Sequence, residues 1–224
     1  MAPFASLARQ VLDLAFPPRC AGCGGAHELL CPSCLATLAA RLEAPPGIPI
    51  GLPIGIPAPL LQLEWVAPYA GVARRVILVL KYRGERRLAP LLGSLLAARW
   101  RRAGIGGNLL VPVPVHPQRR AMRGFDQAQL IATEMGLALG LPVVPALQRR
   151  RETRPQYGLG RTERLANVAG AFAVSPSWRS KIAGRWVVLV DDVFTTGATM
   201  AACAHPLLGA GAAAVSAITV AREG

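Results

Sequence analysis

Apolar residues recur along the chain with two alternating spacings. Recurrence every three to four residues predicts helices, and short unbroken apolar runs predict buried strands. The predicted helices are Arg74–Tyr82, Leu88–Arg102, Gln127–Leu139 and Ala198–Leu208. The predicted strands are Leu109–Val115, Val143–Ala146, Trp186–Val190 and Ala213–Val220. Because such alternating elements pair in parallel with right-handed crossovers, the pattern predicts an α/β fold, a mainly parallel sheet flanked by helices.

One stretch interrupts this pattern. Ala44 to Leu63 carries no charged residue, and Pro45 to Pro59 consists only of Pro, Gly, Ile, Leu and Ala. Proline removes backbone donors from helices and sheets alike, so we predict an extended linker here. The linker divides the chain into three parts: an N-terminal helix and cysteine module at 1–43, the linker at 44–63 and an α/β domain at 64–224.

Four of the five cysteines lie close together in a C-x2-C-x7-C-x2-C arrangement: Cys20, Cys23, Cys31 and Cys34. Two C-x2-C turns can close a tetrahedral site of four thiolates, which is typical of structural zinc. A segment this short has little core, so Zn²⁺ would supply much of its folding energy. Two disulfides are the alternative, which the lack of a recognisable export signal disfavours. Cys203, in the Ala-rich predicted helix, is expected to be a buried thiol.

Charge adds a preference for anionic partners. The 224 residues carry a net charge of +13, and all but two of the basic side chains are arginines. Arginine binds phosphate oxygens bidentately, although a compositional bias would produce the same excess. At 52% hydrophobic residues, the composition excludes a disordered chain. The uncharged stretch Val193–Ala221 is interrupted by Gly197 and Pro206, so we predict core elements rather than a membrane span, and a cytoplasmic protein.

The strongest chemical signal follows the predicted strand at Val187–Val190. Asp191 and Asp192 come next, and the run Thr195-Thr196-Gly197-Ala198-Thr199 then leads into a helix. Ligands of open α/β sheets bind at the carboxyl ends of strands, and a helix N-terminus offers free N–H groups to a phosphate. Gly197 permits close backbone approach, and the threonine hydroxyls add donors. The motif therefore predicts a site for a 5-phosphoribosyl group, with paired carboxylates for the ribose hydroxyls; a capped helix after two exposed acids is the alternative.

This segment resembles the phosphoribosyl pyrophosphate (PRPP) motif of type I phosphoribosyltransferases. Further motifs occur in the order typical of one branch, the ComF/GntX family of competence-associated proteins. They are Lys81-Tyr82-Arg83-Gly84, Val111–His116, Arg123–Ala128, Arg151–Gln156 and Arg161–Arg164 with Asn167 and Phe172. The resemblance runs from the four-cysteine block to the C-terminus.

The resemblance implies roles for individual residues. Asp191 and Asp192 would hold the ribose as catalytic-site acids, and Thr195, Thr196, Gly197, Ala198 and Thr199 would bind the 5′-phosphate. Pro114 to Pro117 would form the pyrophosphate loop, with His116 nearby. A mobile loop within Arg149–Arg164, which includes Arg151, Thr153, Arg154 and Gln156, would close over PRPP bound with Mg²⁺. A solvated charged loop is the alternative for that stretch.

The chain departs from the family pattern at two points. Asp126 stands where the family usually has Asn, which puts the hydrogen bond of that amide in doubt. The Pro/Gly/Ile run stands where many relatives carry further cysteine pairs, so one metal site is expected.

Two functions stay open on the sequence. One is an enzyme that transfers the phosphoribosyl group of PRPP with Mg²⁺ to an unassigned acceptor. The other is a module that binds PRPP, or a related sugar phosphate, together with single-stranded DNA for the DNA-uptake machinery, as the family resemblance implies. Candidate DNA contacts are Arg149, Arg150, Arg151 and Arg154, with Trp65, Tyr69 and Tyr82 as candidate stacking partners.

Overall fold

The computed structural model describes residues 19–26, 28–45, 59–150 and 170–223. The helices are α1 (Pro32–Ala39), α2 (Gly71–Arg83), α3 (Leu88–Ala103), α4 (Pro117–Arg123), α5 (Gln127–Leu139), α6 (Arg179–Ile182) and α7 (Ala198–Gly209), with a 3₁₀ turn at Pro176–Trp178. The strands are β1 (Leu63–Pro68), β2 (Leu109–Pro112), β3 (Leu147–Arg149), β4 (Phe172–Val174), β5 (Trp186–Phe194) and β6 (Ala214–Arg222).

Four strands form a parallel sheet in the order β1-β6-β5-β2. The two middle strands, β5 and β6, are the longest, and β6 is buried along its whole length. A separate antiparallel hairpin joins β3 to β4. This is the predicted α/β fold, because the parallel sheet has helices on both faces.

Most predicted helices and strands are confirmed within a few residues, and two predictions about strands are wrong. Val143–Ala146 is not a strand: it touches β2 through a single parallel bridge between Val143 and Leu110. Pro142 and Pro145 explain this, because neither offers a backbone N–H to continue the ladder. The second error is the omission of β1, which precedes β2 and begins at Leu63, inside the range assigned to the linker.

Two hydrophobic layers cover the sheet. One contains α2, α3 and α5, and the other contains α7 and the β3–β4 hairpin. Helices α3 and α5 approach closely at Gly93, where an added Cβ would lie 2.8 Å from the backbone nitrogen of Met135. Only glycine permits that contact, so α3 fixes the position of α5, whose N-terminal end lies next to the site described below.

A buried charged cluster ties the end of the cysteine module to the sheet. Glu64 on β1 accepts from Arg99 (2.7 Å) and Arg41 (3.2 Å), and Gln62 donates to its other oxygen (3.1 Å). The Arg99 side chain is fully buried and also donates to the carbonyl of Ala44 at 2.6 Å. We call these four side chains, Glu64, Arg99, Arg41 and Gln62, the Glu64 cluster. It holds residues 41–45 against α3 and β1.

Within the described ranges, none of the helices has the length and apolar character needed to cross a lipid bilayer.

Candidate functional site

The paired acids lie near the carboxyl end of the central strand β5. The strand extends beyond its predicted end at Val190 and continues through Asp191 and Asp192 to Phe194. Asp191 is opposite Thr219 of β6, and Val190 is opposite Pro112 at the end of β2. The residues that follow β2 and β5 therefore emerge at the same edge of the sheet, where open α/β folds bind ligands.

Among the described residues, each acid has one polar contact at 2.8 Å. An oxygen of Asp191 accepts the backbone N–H of Asp192 at 2.8 Å, and Oδ2 of Asp192 lies 2.8 Å from the ammonium of Lys81. Burial raises the pKa of the Asp191 carboxyl well above its usual value, and the neighbouring Asp192 adds to the rise. Burial acts to lower the pKa of Lys81, but the carboxylates of Asp192 and Asp191 outweigh it and raise that pKa.

The predicted phosphate loop lies directly after the acids. Gly197 has φ +82°, a left-handed conformation that glycine adopts without strain, and α7 begins at the next residue. The first N–H groups of a helix have no carbonyl partner within that helix, and such an end favours a bound anion. The buried Oγ1 of Thr196 has no hydrogen-bond partner among the described residues. A phosphate oxygen would satisfy that hydroxyl.

The predicted pyrophosphate loop is held on two sides. Val113 donates its N–H to the carbonyl of Val190 on β5 at 2.9 Å. Val115 donates to Oδ2 of Asp126 at 3.0 Å, while Oδ1 of the same carboxyl accepts from Gln129 in the first turn of α5. Pro114 is half-buried between these anchors. The loop therefore keeps a fixed position beside the acids.

Asp126 uses both of its oxygens as acceptors. An asparagine at this position could accept only one of the two bonds through its oxygen, so the carboxylate suits this chain better than the amide usual in the family. Burial raises the pKa of the Asp126 carboxyl, although the N–H groups of Val115 and Gln129 act in the opposite direction. His116 lies within this loop and caps α4, with Nδ1 accepting from the N–H of Gln118.

The arginine-rich segment lies largely beyond the described part of the chain. Arg151, Thr153, Arg154 and Gln156 fall in 151–169, outside the described residues. Arg149 ends β3 and stacks on the ring of Phe172, 5.4 Å from its centroid, and Arg150 is exposed. Cys203 is fully buried, as predicted. Burial raises the pKa of that thiol, Asp191 adds to the rise and Arg149 opposes it, so both charges lie near α7.

The four N-terminal cysteines converge. Their sulfur atoms all lie within 4.8 Å of one another, and the Cys23 and Cys31 sulfurs are 3.8 Å apart. A tetrahedral zinc site with Zn–S bonds of about 2.3 Å requires sulfur atoms about 3.8 Å apart. All four are free thiols rather than disulfides. The four residues therefore fit a metal ion such as zinc.

The local backbone builds this cysteine cluster. The N–H groups of Gly22 and Cys31 point at the Cys20 sulfur, at 3.4 and 3.3 Å. Burial acts to raise the pKa of Cys20, but these N–H donors outweigh it and lower the pKa to about 6. Burial and the neighbouring thiols raise the pKa of Cys34 to about 12. Metal binding would remove the protons from all four thiols.

Gly22 shapes the contact between the cysteine cluster and α2. A Cβ at this position would meet the Cys34 sulfur at 2.6 Å and Val72 of α2 at 3.1 Å. Arg75 of α2 donates to the Gly22 carbonyl. The cysteine turn is therefore packed directly on α2, the helix that ends with Lys81 and its neighbours.

A groove of about 560 Å³ lies between the cysteine turn and α2. Its charged side chains are Arg19, Arg75 and Arg83, and Leu78 and Val79 contribute apolar surface. Tyr82 at its margin is 72% exposed, with the guanidinium of Arg123 5.2 Å from its ring centroid. Of the three stacking candidates, Trp65 is only 4% exposed and Tyr69 is half-buried, so Tyr82 is the accessible one.

Two residues of the site had no predicted role in it. In the sequence, Lys81 was noted only as part of a family motif, yet its ammonium contacts Asp192. Asp126 was noted as a departure from the family pattern, yet its carboxyl anchors the loop after β2. A signal for Lys81 exists in the sequence, because it is one of only two lysines and lies three residues before Gly84, which ends α2 in a left-handed conformation.

Similar proteins come from several bacteria, while no protein-family model matches the sequence. The chain is 32% identical to DNA utilization protein YhgH of Escherichia coli (strain K12) over 218 residues, which cover 93% of this chain and 92% of that protein. It is 35% identical to Competence protein F of Haemophilus influenzae over 92 residues, covering 41% and 40%. It is 28% identical to Competence protein ComFC of Bacillus subtilis over 166 residues, covering 73% and 65%.

Among solved structures, the chain resembles the glutamine PRPP amidotransferase of Bacillus subtilis complexed with ADP and GMP. The TM-score is 0.41 and the identity 22%; the match covers 59% of this chain and 26% of that enzyme, so the chain spans about a quarter of the enzyme's length. Family membership comes from the sequence relationship, which extends over nearly the whole chain. By that relationship the chain belongs to the family of DNA utilization protein YhgH, the ComF/GntX family.

Proposed function

We propose that the protein binds PRPP at the carboxyl edge of its parallel sheet. The observation that carries the proposal is the order along β5 and α7: a half-buried and a buried acid, a left-handed glycine and a helix N-terminus with the unpartnered Thr196 hydroxyl beside it. A phosphate and a sugar diol, held a few residues apart, match those groups chemically. Few other ligands carry both in that relation.

Each part of the ligand has a counterpart in the site. Thr195 to Thr199 bind the 5′-phosphate, and Asp191 and Asp192 accept from the ribose hydroxyls. The loop Pro114 to Pro117, with His116, faces the pyrophosphate, and Arg151, Thr153, Arg154 and Gln156 belong to the loop that closes over it. Mg²⁺, which prefers such carboxylate and phosphate oxygens, would neutralise the pyrophosphate and help it leave.

The proposed activity is transfer of the phosphoribosyl group from C1 of PRPP, with pyrophosphate as the leaving group. The chain supplies donors for the 5′-phosphate and carboxyl oxygens close to the sugar, where positive charge develops at C1. Pyrophosphate release from PRPP in the presence of bases, nucleosides or DNA identifies the acceptor. The proposal places the protein in the cytoplasm, where cysteines stay reduced and available to a metal.

Replacing Asp191 and Asp192 together by asparagine is expected to weaken PRPP binding by at least tenfold, about 1.4 kcal/mol. The amides keep the size of the acids but remove the charge that holds hydroxyl donors and Mg²⁺. Calorimetry with Mg²⁺ and PRPP measures the change, and Lys181→Met, an exposed change on α6, serves as the control. Unchanged affinity in the double variant would falsify the proposed site.

A second candidate function is the handling of single-stranded DNA. The relatives are named for DNA utilization and for competence, and the groove beside α2 combines three arginines with an exposed tyrosine. Arginines bind backbone phosphates, and an accessible aromatic ring can stack on a base. This role in DNA uptake is compatible with PRPP binding, because the groove and the acid pair lie on different faces of α2.

If arginines hold DNA, affinity for a labelled oligothymidylate should fall steeply as salt rises. Changing Arg149, Arg150, Arg151 and Arg154 to alanine should flatten that dependence by up to about one unit of log–log slope for each phosphate that is no longer bound. A groove variant, Arg19→Ala with Arg83→Ala, distinguishes the two surfaces. Salt titrations by fluorescence anisotropy provide the comparison. If both variants bind DNA with the same affinity and salt dependence as the wild type, neither surface supports the DNA role.

A further inference from the structure

Lys81 contributes the only lysine contact described in the candidate site. It lies in the last turn of α2, and its ammonium is 2.8 Å from Oδ2 of Asp192. The side chains are 17% and 5% exposed, so the pair is largely shielded from water. A buried ion pair is weak evidence for stability, since apolar residues of similar volume often serve as well. Its position therefore suggests a role in the site.

The pair leaves a defined set of oxygens for a ligand. Lys81 engages Oδ2 of Asp192, and the backbone N–H of Asp192 engages Oδ1 of Asp191. Within the described part of the chain, one oxygen of each acid is left for a ligand. Two adjacent hydroxyls of a sugar supply two donors, which equals the number of acceptors left.

The ammonium also holds the two neighbouring acids in place. Asp192 is buried and Asp191 beside it is half-buried, and the two carboxylates repel each other at this distance. Lys81 offsets part of that repulsion and keeps Asp192 an acceptor. Without it, the Asp192 side chain would turn towards water, and that change removes an acceptor from the ligand.

We propose that Lys81 is a positioning residue that orients Asp192 so that the site prefers a sugar phosphate with two adjacent hydroxyls over its 2-deoxy counterpart. The inference rests on the proposed PRPP site and adds to it the residue that sets sugar specificity. It also implies that 2-deoxyribose phosphates, the sugar unit of DNA, are poor ligands here. DNA and PRPP therefore do not compete for the acid pair.

Ribose 5-phosphate and 2-deoxyribose 5-phosphate are the probes. A site built to bond a hydroxyl rejects the analogue that lacks it, so wild type is expected to bind the ribose form about tenfold more tightly or better. Lys81→Met should reduce that ratio to below about threefold, with affinity for the 2-deoxy form changed less than about twofold, since the phosphate contacts remain. Lys81→Arg keeps a cation and should retain the preference.

Controls separate this role from a structural one. Lys181→Met removes the chain's other lysine, which is exposed, and should leave the ratio unchanged. Lys81→Gln keeps a hydrogen-bond donor without charge and provides a second variant if Lys81→Met unfolds, as judged by circular dichroism; it too should lower the ratio. A folded variant without the Lys81 charge that keeps the wild-type ratio overturns the inference while PRPP binding stands. A wild type that binds neither PRPP nor ribose 5-phosphate overturns the proposed function itself.

Discussion

Replacing Cys31 and Cys34 together by serine is expected to abolish zinc binding and to unfold the cysteine module. The four sulfurs already have the spacing of a tetrahedral site, and removing two ligands leaves too few for tight binding. Structural zinc contributes on the order of 10 kcal/mol to modules of this kind, and the variant would lack that contribution. Metal analysis of reduced protein should give close to one zinc per wild-type chain and almost none in the variant.

The matched control is Cys203→Ser, which removes a buried thiol at α7 and should leave the zinc content unchanged. Urea titration is expected to show a lower free energy of unfolding for this control, because the hydroxyl is placed in an apolar site. A reduced wild-type protein without zinc, or one in which mass spectrometry finds disulfides among the four cysteines, would refute the metal assignment.

Arg99→Met is expected to lower the free energy of unfolding by about 3 kcal/mol at neutral pH, because it removes one partner from a buried ion pair. Glu64 is 1% exposed and would no longer have its 2.7 Å ion pair, and the carbonyl of Ala44 would be without this donor. Urea denaturation measures the change. Arg102→Met is the control on the same helix, since Arg102 is half exposed and only 3.9 Å from Glu43, and it should change stability by less than about 0.5 kcal/mol.

A second arm tests whether the Glu64 carboxylate, which keeps the 3.2 Å contact to Arg41 but loses Arg99, is the cause. Adding Glu64→Gln to Arg99→Met removes the charge that was left behind and should recover part of the stability. Equal stability of Arg99→Met and Arg102→Met would show that the Glu64 cluster does not depend on Arg99.

Local patterns predicted most of this fold, because helices and buried strands repeat their apolar positions within a few residues. Gln127–Leu139 was predicted at both ends, since Asp126 precedes the helix and Gly140 follows it in a left-handed conformation. The strand β1 was missed because Leu63–Pro68 follows an apolar, proline-rich run and contains Glu64. The sequence does not indicate that Glu64 can be buried in the sheet, because its partner Arg99 is distant along the chain.

The candidate site, too, could be predicted only in part from the sequence. Asp191, Asp192 and the threonine loop form one continuous segment, so their proximity could be predicted from the sequence alone. The contact between Lys81 and Asp192 joins α2 to β5 across the fold, and no spacing along the chain encodes it. The anchoring of the loop after β2 by Asp126 likewise depends on where α5 begins, which the position of α3 determines.

The Glu64 cluster also restricts how this sequence can change over generations. Replacing Glu64, Arg99 and Arg41 together by apolar residues could leave the fold as stable as it is now. A first step that removes Glu64, however, leaves Arg99 and Arg41 without this carboxylate, and one that removes Arg99 leaves Glu64 with the longer 3.2 Å contact to Arg41. Descendants must therefore change several positions at once or pass through a poorly folding intermediate. The cluster can persist in a lineage because its residues are hard to replace one at a time, even where they add nothing to the free energy of unfolding.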